Sequence, residues 1–532
     1  ACCAAATIAM SCPITDPGGE DTTVPPAMLH GLAPGMVSPG DEVLLQFLYA
    51  FLPKPPVSTS PSLCCAAVAA DKTDRVSRLP DDLLRRVVSL LPAKDGARTT
   101  VLSSRWRGLW RSAPTVLVDT HLLLGGDGQL RPARPGAISR AVTDAVSAAL
   151  ESHPGSFPFV SLTCSFMDGA DRSLLARWFQ LLATKGVDEL VFVNRPWPLR
   201  GLRLPSSLFS CASLCRLCIG AWVFPDTAAL PRGAAFPNLH QLVLGCIAME
   251  DKDLEFVLAV SPVLEILTVT GSLSPLRARL TSHSLRCAQF CLSILEEVAV
   301  VDAPSLERFF LWRNWNERQT KICTTVKIGH APKLRVLGYL EPGVHMLQIG
   351  NTIIKAGTKA STHTTVPSVQ MLAVQLQFGV RGEVKMLPSF LRCFPSIETL
   401  VVESRVVREP ASNLSLKIWH ETGPVECVQS HLKILTFHEL QGNRNEFDFL
   451  MFIAQNAHKL ERMFIVMKND LTYAERQVVV AGVGALYSAN WASRYCRVQY
   501  LSSCYPIGGG SWSLQAGSDL SIDDPFEAFP ED

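Results

Sequence analysis

Net charge is nearly missing from this 532-residue chain: 49 lysines and arginines face 48 aspartates and glutamates, a balance of +1. No general field draws it to nucleic acid or to an anionic membrane, so recognition has to be local. Long apolar runs are missing as well. The longest, VLLQFLYAFL at 43–52, is about half of the ~20 residues that a membrane helix needs, and it contains Gln46. The opening ACCAAATIAMSCP has no basic stretch ahead of an apolar core, so it does not read as a secretory signal; it does not begin with Met, which leaves the true start open. The paired CxxC spacing of a structural zinc site is also lacking, although cysteine is not scarce. Seventeen cysteines, an odd number scattered over strand-like and loop-like stretches, fit buried free thiols in a reducing compartment better than a disulfide framework. Neither Cys211, Cys215 and Cys218 nor the series His283, Cys287 and Cys291 has a fourth ligand close by, and both are read as packing residues. No metal, cofactor, nucleic acid or membrane is expected, and the expected setting is intracellular, cytoplasmic or nuclear.

What is present is apolar material in quantity. At 48% hydrophobic and 18% charged, the chain can bury a sizeable core and is long enough for more than one domain. Five zones follow from composition. Residues 1–70, rich in Pro, Ala, Ser and Thr with Lys54 as the one Lys or Arg, read as a disordered leader. Residues 71–118 carry ten basic and five acidic side chains. Residues 137–410 alternate strand-like and helix-like pieces, and 411–505 continue with a different rhythm. The tail, 506–532, holds GGGS and six acids without a base, which reads as solvated and mobile.

The middle repeats a pattern of apolar-x-x-apolar-x-apolar: VDELVF at 187, LCRLCI at 214, LHQLVL at 239, LEILTV at 264, LERFFL at 306, LRVLGY at 334, VQMLAV at 369, IETLVV at 397, LKILTF at 432 and LERMFI at 460. Each copy puts two apolar side chains on one face of a short strand. Alone, a copy cannot bury its own core; stacked copies can. The segments between copies supply helices: DRSLLARWFQLLATKG with Asp171 as N-cap and Gly186 as stop, and EDKDLEFVLAVSP with Asp253 as cap. Strand, crossover helix and parallel strand in repetition predict an α/β fold, a leucine-rich-repeat solenoid of parallel strands plus helices.

In such a solenoid the residue between the last two apolar positions points out of the sheet. Here those residues are Val191, Cys218, Val243, Thr268, Phe310, Gly338, Ala373, Val401, Thr436 and Phe464, and none is charged. An exposed line of this kind would take a protein or an apolar ligand, with Val243, Phe310, Val401 and Phe464 as target-binding candidates. The plainer reading, that strand propensity selects them or that the chain itself covers them, carries more weight. The line lacks the basic and aromatic interleaving of a nucleic-acid groove.

Residues 78–110, RLPDDLLRRVVSLLPAKDGARTTVLSSRWRGLW, are the densest stretch. Pro80, Asp81 and Asp82 lead a helix whose apolar residues Leu83, Leu84, Val87, Val88, Leu90 and Leu91 spread over more than one face until Pro92 ends it. The two aspartates invite an acid–base reading, but no His, Cys or second acid pair stands close by; first-turn carboxylates cap free amides and oppose the helix dipole. Asp95 can cap a second helix with Ala97, Val101 and Leu102, and Ser103 or Ser104 a third with Trp106, Leu109 and Trp110. Three helices in about 40 residues bury little by themselves and need a partner.

The stretch LPDDLLRRVVSLLPAKDGARTTVLSSRWRGLW resembles a plant-type F-box, with its Leu-Pro start, Leu-Leu-Pro middle and Ser-x-Arg-Trp-x-x-Leu-Trp end. GPVECVQSHLKILTFHELQGNRNEFDFLMFIAQNAHKLERMFIVMKNDLTYAERQ resembles the FBD region that follows leucine-rich repeats in many plant F-box proteins, a strand, a Gly-Asn turn, a helix and another strand. The resemblance implies a small all-helical F-box module before the repeats, docking on a Skp-type adaptor and through it on a cullin scaffold. It implies an adaptor surface from Leu79, Pro80, Leu83, Leu84, Leu90, Leu91, Pro92, Val101, Leu102 and Ser103, with Trp106 and Trp110 divided between module core and partner. The module's excess of positive charge would suit an acidic adaptor. The implied role is a substrate receptor of a ubiquitin ligase, holding a protein target while a separate enzyme supplies ubiquitin, so that no residue of this chain is catalytic. The alternative is a scaffold that binds the adaptor without promoting ubiquitin transfer.

Overall fold

The structure is a computed structural model and describes residues 48, 52–57, 76–123, 135–165, 167–194, 202–230, 233–314, 324–359, 361–405, 418–502 and 513–526. The described residues divide into two compact units, one within Glu20–Leu264 and the other within Glu265–Asp532.

The first unit begins its described helices with α1 (Asp81–Ser89), α2 (Ala93–Arg98) and α3 (Ser104–Ser112). Proline sets both early starts: Pro80 and Pro92 occupy the N-cap positions, where a missing N–H is no loss. Leu84 and Val88 of α1 close on Trp106, Leu109 and Ala113, with Leu79 and Trp110 packed alongside. Asp81 and Asp82 do not cap α1, contrary to expectation. Asp82 pairs with Arg85 at 2.6 Å, and Asp81 pairs with Arg105 of α3 at 2.6 Å while Arg105 also donates to the Leu79 carbonyl at 2.7 Å. The aspartates tie α1 to itself and to α3. The Asp81–Arg105 partners are 51% and 40% exposed, so Arg105→Ala is expected to lower module stability by less than about 1 kcal/mol, read from the chemical-denaturation midpoint. Asp95 likewise sits inside α2, paired with Arg98 at 2.9 Å.

Behind this module, strands β1 (Leu117–Val118), β2 (Phe159–Leu162), β3 (Glu189–Val193), β4 (Arg216–Gly220) and β5 (Gln241–Gly245) run parallel in chain order. Helices α4 (Pro135–Ser152), α5 (Arg172–Thr184) and α6 (Asp251–Val260) accompany them. Gly186 stops the chain beyond α5 with φ +62°, as its sequence position predicts. Asp253 is not the cap of α6: Glu250 is, and Asp253 completes a capping box by accepting the Glu250 N–H at 2.9 Å.

In the second unit, β6 (Ile266–Thr270), β8 (Cys287–Cys291), β10 (Arg308–Trp312), β12 (Val336–Leu340), β15 (Met371–Leu376), β16 (Thr399–Ser404), β17 (Ile434–Leu440), β18 (Arg462–Met467) and β19 (Arg497–Ser502) form one parallel ladder. The strands skipped in that order return on a second sheet: β7 (Leu276–Thr281), β9 (Leu295–Asp302), β11 (Thr324–His330) and β13 (His345–Ile349) are parallel, with β14 (Thr352–Ile353) antiparallel at the edge. The helical crossovers expected from the repeats are therefore strands across this part. The reason lies in the spacing. LRCAQF at 285, a copy that Ala288 and Gln289 disguise, stands 21 residues from the copies at 264 and 306, and that length leaves no room for two strands' turns plus a helix. Beyond β15, helices return: α7 (Arg381–Cys393), α8 (Arg444–Asn456) and α9 (Tyr473–Tyr487). The Gly-Asn turn is a cap. Gly442 has φ +92°, and Asn443 accepts the Asn445 N–H at 2.9 Å while the Glu446 carboxylate accepts the Asn443 N–H at 2.8 Å. Asn443→Ala is expected to lower stability by about 1 kcal/mol, measured by urea unfolding.

The last described segment contains α10 (Leu514–Ser518) and ends at Phe526. It corrects the reading of 506–532 as a disordered, solvated tail, because Leu514 and Phe526 are buried. The leader reading needs a similar correction at one point: Leu48, from the apolar run, is fully buried. Apart from Leu48 and residues 52–57, the stretch 1–75 lies outside the described residues, as do 503–512 with its GGGS and 527–532.

Candidate docking surfaces

Two surfaces are at issue, the helical module and the sheet face that carries the repeat line. On the module, the residues named from sequence separate by burial. Leu83 is 50% exposed, Leu90 53%, Val101 84% and Leu102 63%. Pro80 and Ser103 are also exposed, and Leu79, Leu91, Pro92 and Trp110 are partly so. Leu84 departs from expectation: it is fully buried in the module core beside Trp106. A helix turns about 100° per residue, so neighbours Leu83 and Leu84 cannot both face outward when one side is packed on α3.

Two residues that sequence reasoning missed join the exposed set, Val76 at 52% and Val87 at 42%. Leu83, Val87 and Leu90 recur at spacings of four and three, which places them along one side of α1. That spacing was the available signal for Val87. Exposed large apolar residues in this density are uncommon on a surface with no partner, whereas single ones need no explanation.

Trp110 turns away from that surface. Its ring lies 4.9 Å from the ring of His153, whose Nε2 is 3.1 Å from both Thr115 Oγ1 and the Ala113 carbonyl. Burial holds the imidazole below its ordinary pKa. The third helix is thereby keyed onto the residues that follow it.

The repeat line is not exposed. Val243, Phe310, Val401 and Phe464 are all buried, so the picture of an open apolar line does not hold and the plainer reading does. Two covers are visible. In the first unit Leu48 packs on Val191, Val193, Cys218 and Val243, filling the space that Gly220 and Gly245 leave: a Cβ at either glycine would come within 2.6 Å of its side chain. In the second unit the Phe526 ring stands 5.8 Å from Phe310 and 5.8 Å from Tyr339. Cys218 of the line and Cys287 of the other series are both fully buried. Burial pushes the thiols of Cys218 and Cys287 up to about 12, where they are neither nucleophiles nor ready ligands. His283, the first member of the series with Cys287 and Cys291, is exposed. Among the described residues no group of His, Cys, Asp and Glu is arranged to hold a metal, and no helix is long and apolar enough to cross a membrane.

Comparison with known proteins matches three stretches of the chain. Residues 76–115 match the F-box domain, residues 175–402 match the family described as "FBD-associated F-box protein At5g56370, LRR repeats", and residues 420–465 match the FBD. Similar proteins come from Arabidopsis thaliana. F-box/LRR-repeat protein 13 is 25% identical over 466 residues, covering 80% of this chain and 97% of the relative. FBD-associated F-box protein At5g60610 is 25% identical over 412 residues, 73% of this chain and 98% of its own length. FBD-associated F-box protein At4g10400 is 26% identical over 411 residues, 73% and 91% respectively.

Proposed function

We infer, from a chain that joins an F-box, leucine-rich repeats and an FBD region and whose homologues are Arabidopsis F-box/LRR/FBD proteins, that this protein is the substrate-recognition subunit of a Skp-cullin-F-box ubiquitin ligase. F-box and repeat domains together imply a substrate-receptor role. The finer assignment rests on the apolar side chains that the helical module leaves in solvent.

In this reading residues 71–118 dock on the Skp-type adaptor, 137–410 are the repeats, and 411–505 are the FBD region that completes them. Leu83, Leu90, Val101 and Leu102 form the adaptor surface together with Val76 and Val87, and Leu79, Pro80, Leu91, Pro92 and Ser103 surround it. Leu84 and Trp106 support it from beneath. Burying these side chains against a partner supplies the area that three short helices cannot supply alone. The adaptor brings the cullin, and the cullin brings the enzyme that carries ubiquitin. The receptor acts by holding its target near that enzyme, a proximity effect, and performs no bond-making step itself. An intracellular setting fits the buried thiols of Cys218, Cys287 and Cys291.

Purified chain, adaptor, cullin and ubiquitin-transfer enzymes are expected to assemble and to modify a bound target. Assembly without transfer to any captured neighbour, tested by proximity labelling under proteasome inhibition, would favour the scaffold instead.

A further inference from the structure

The C-terminal segment lies on the sheet in the manner of a ligand. Its main-chain bonds close on itself: Gly517 N–H to the Ser513 carbonyl at 2.9 Å, Asp519 N–H to Gln515 at 2.9 Å, and Ile522 N–H to Asp519 at 3.4 Å. The sheet holds it by side chains. Arg308 of β10, 2% exposed, donates from Nη1 to the carbonyls of Asp519 at 2.8 Å, Gly517 at 3.2 Å and Ala516 at 3.3 Å, and from Nη2 to the Ile522 carbonyl. Gln289 of β8 donates to the Leu514 carbonyl at 3.2 Å, Cys287 to that of Gly517 at 3.4 Å, and Arg335 to that of Asp523 at 3.0 Å.

These contacts read peptide carbonyls, which any sequence offers, at the end of a helical turn where carbonyls lack helical partners. Side-chain reading is concentrated at one place. The Phe526 ring fits over Gly338 of β12, where an added Cβ would stand 3.1 Å from it, and between Phe310 and Tyr339 at tilts of 74° and 88°. The fit of the segment is also incomplete: Arg308 Nε and Gln289 Oε1 are buried beneath it with no hydrogen-bond partner among the described residues. A peptide that supplied an acceptor to the first and a donor to the second would bind better than the segment does.

We propose that the face formed by Gln289, Arg308, Phe310 and Gly338 is a peptide-binding site, that residues 513–526 are its resident ligand, and that a target enters by presenting a segment of the same chemistry, a helical turn with free carbonyls followed by a phenylalanine. The proposal rests on the receptor reading above and assigns that receptor its site. The tether matters because a segment joined to its site competes at an effective concentration on the order of millimolar, so only a well-matched target displaces it.

The test uses the full chain with a specific protease site placed within residues 503–512, folded and then cleaved. A fluorescein-labelled synthetic peptide of residues 513–526 is titrated in, with anisotropy as the readout. The cleaved chain is expected to exchange its fragment and bind the peptide saturably, about tenfold or more tighter than the uncleaved chain does. A Phe526→Ala peptide, which leaves the protein untouched, is expected to lose about tenfold or more. The idea is overturned if the fragment never exchanges, if the sheet's circular dichroism collapses when it leaves, or if the alanine peptide binds equally. Adaptor binding is assayed separately on the same cleaved protein, so a failed exchange with intact adaptor binding sinks the peptide site alone.

Discussion

Leu83→Glu with Leu90→Glu is expected to weaken adaptor binding by at least about 100-fold while the chain unfolds at the wild-type temperature. The size follows from burial. A leucine taken fully out of water contributes about 1.5–3 kcal/mol, and these two are half exposed, so covering them contributes roughly half of that each. The substitutions also force two carboxylates into a desolvated interface, and each 1.4 kcal/mol lost is a factor of about ten. Leu83 lies in α1 and Leu90 at its C-cap, and at these half-exposed positions glutamate is expected to change stability by less than about 1 kcal/mol each, the dipole term at Leu90 included. Surface plasmon resonance against purified adaptor, alongside differential scanning calorimetry, reads both halves.

The neighbouring residue gives the opposite pattern. Leu84→Ala empties a fully buried position beside Val88, Trp106 and Leu109, and such truncations cost about 2–5 kcal/mol. A three-helix module has little stability to lose, so the substitution is expected to unfold α1–α3 and abolish adaptor binding with them. Near-ultraviolet circular dichroism of Trp106 and Trp110 should show the loss of module packing, while the strand signal of the repeats persists. If Leu84→Ala left the module folded and binding intact, the assignment of inner and outer faces would be wrong.

That pair of neighbours shows where the sequence stops being informative. The prolines at 80 and 92, the serine at 103 and the tryptophans mark three helices without any structure. The apolar residues of α1 encircle it, however, so only packing against α3 decides that Leu84 goes in and Leu83 stays out. Most repeat strands are legible because both apolar residues of the strand are large, as in LVLG or FFLW; β2 and β19 are not among the copies read, although FPFVSL at 157 and YCRVQY at 495 fit the same pattern. Cys287–Cys291 escaped because Ala288 is small and Gln289 polar. The returning strands β7, β9 and β11 escaped because a helix was expected to fill every crossover, although the alternation of LRARLT is a strand pattern.

Composition is silent about the tail for a different reason. Six acids without a base describe its side chains, and the sheet binds its carbonyls, which composition does not record. Arg308 is the one trace that could have been noticed, a cation facing the same side as Phe310 on a strand two residues apart. A buried guanidinium requires acceptors, and the nearest carboxylates do not supply them; the main chain of residues 516–522 does.

The most direct test of the central claim is isothermal titration of the full chain with a purified Skp-type adaptor. The account predicts a saturable one-to-one complex whose heat disappears in the Leu83→Glu, Leu90→Glu variant and persists after cleavage within residues 503–512. A folded wild-type chain that gives no binding heat, or a double variant that binds as wild type does, would contradict it.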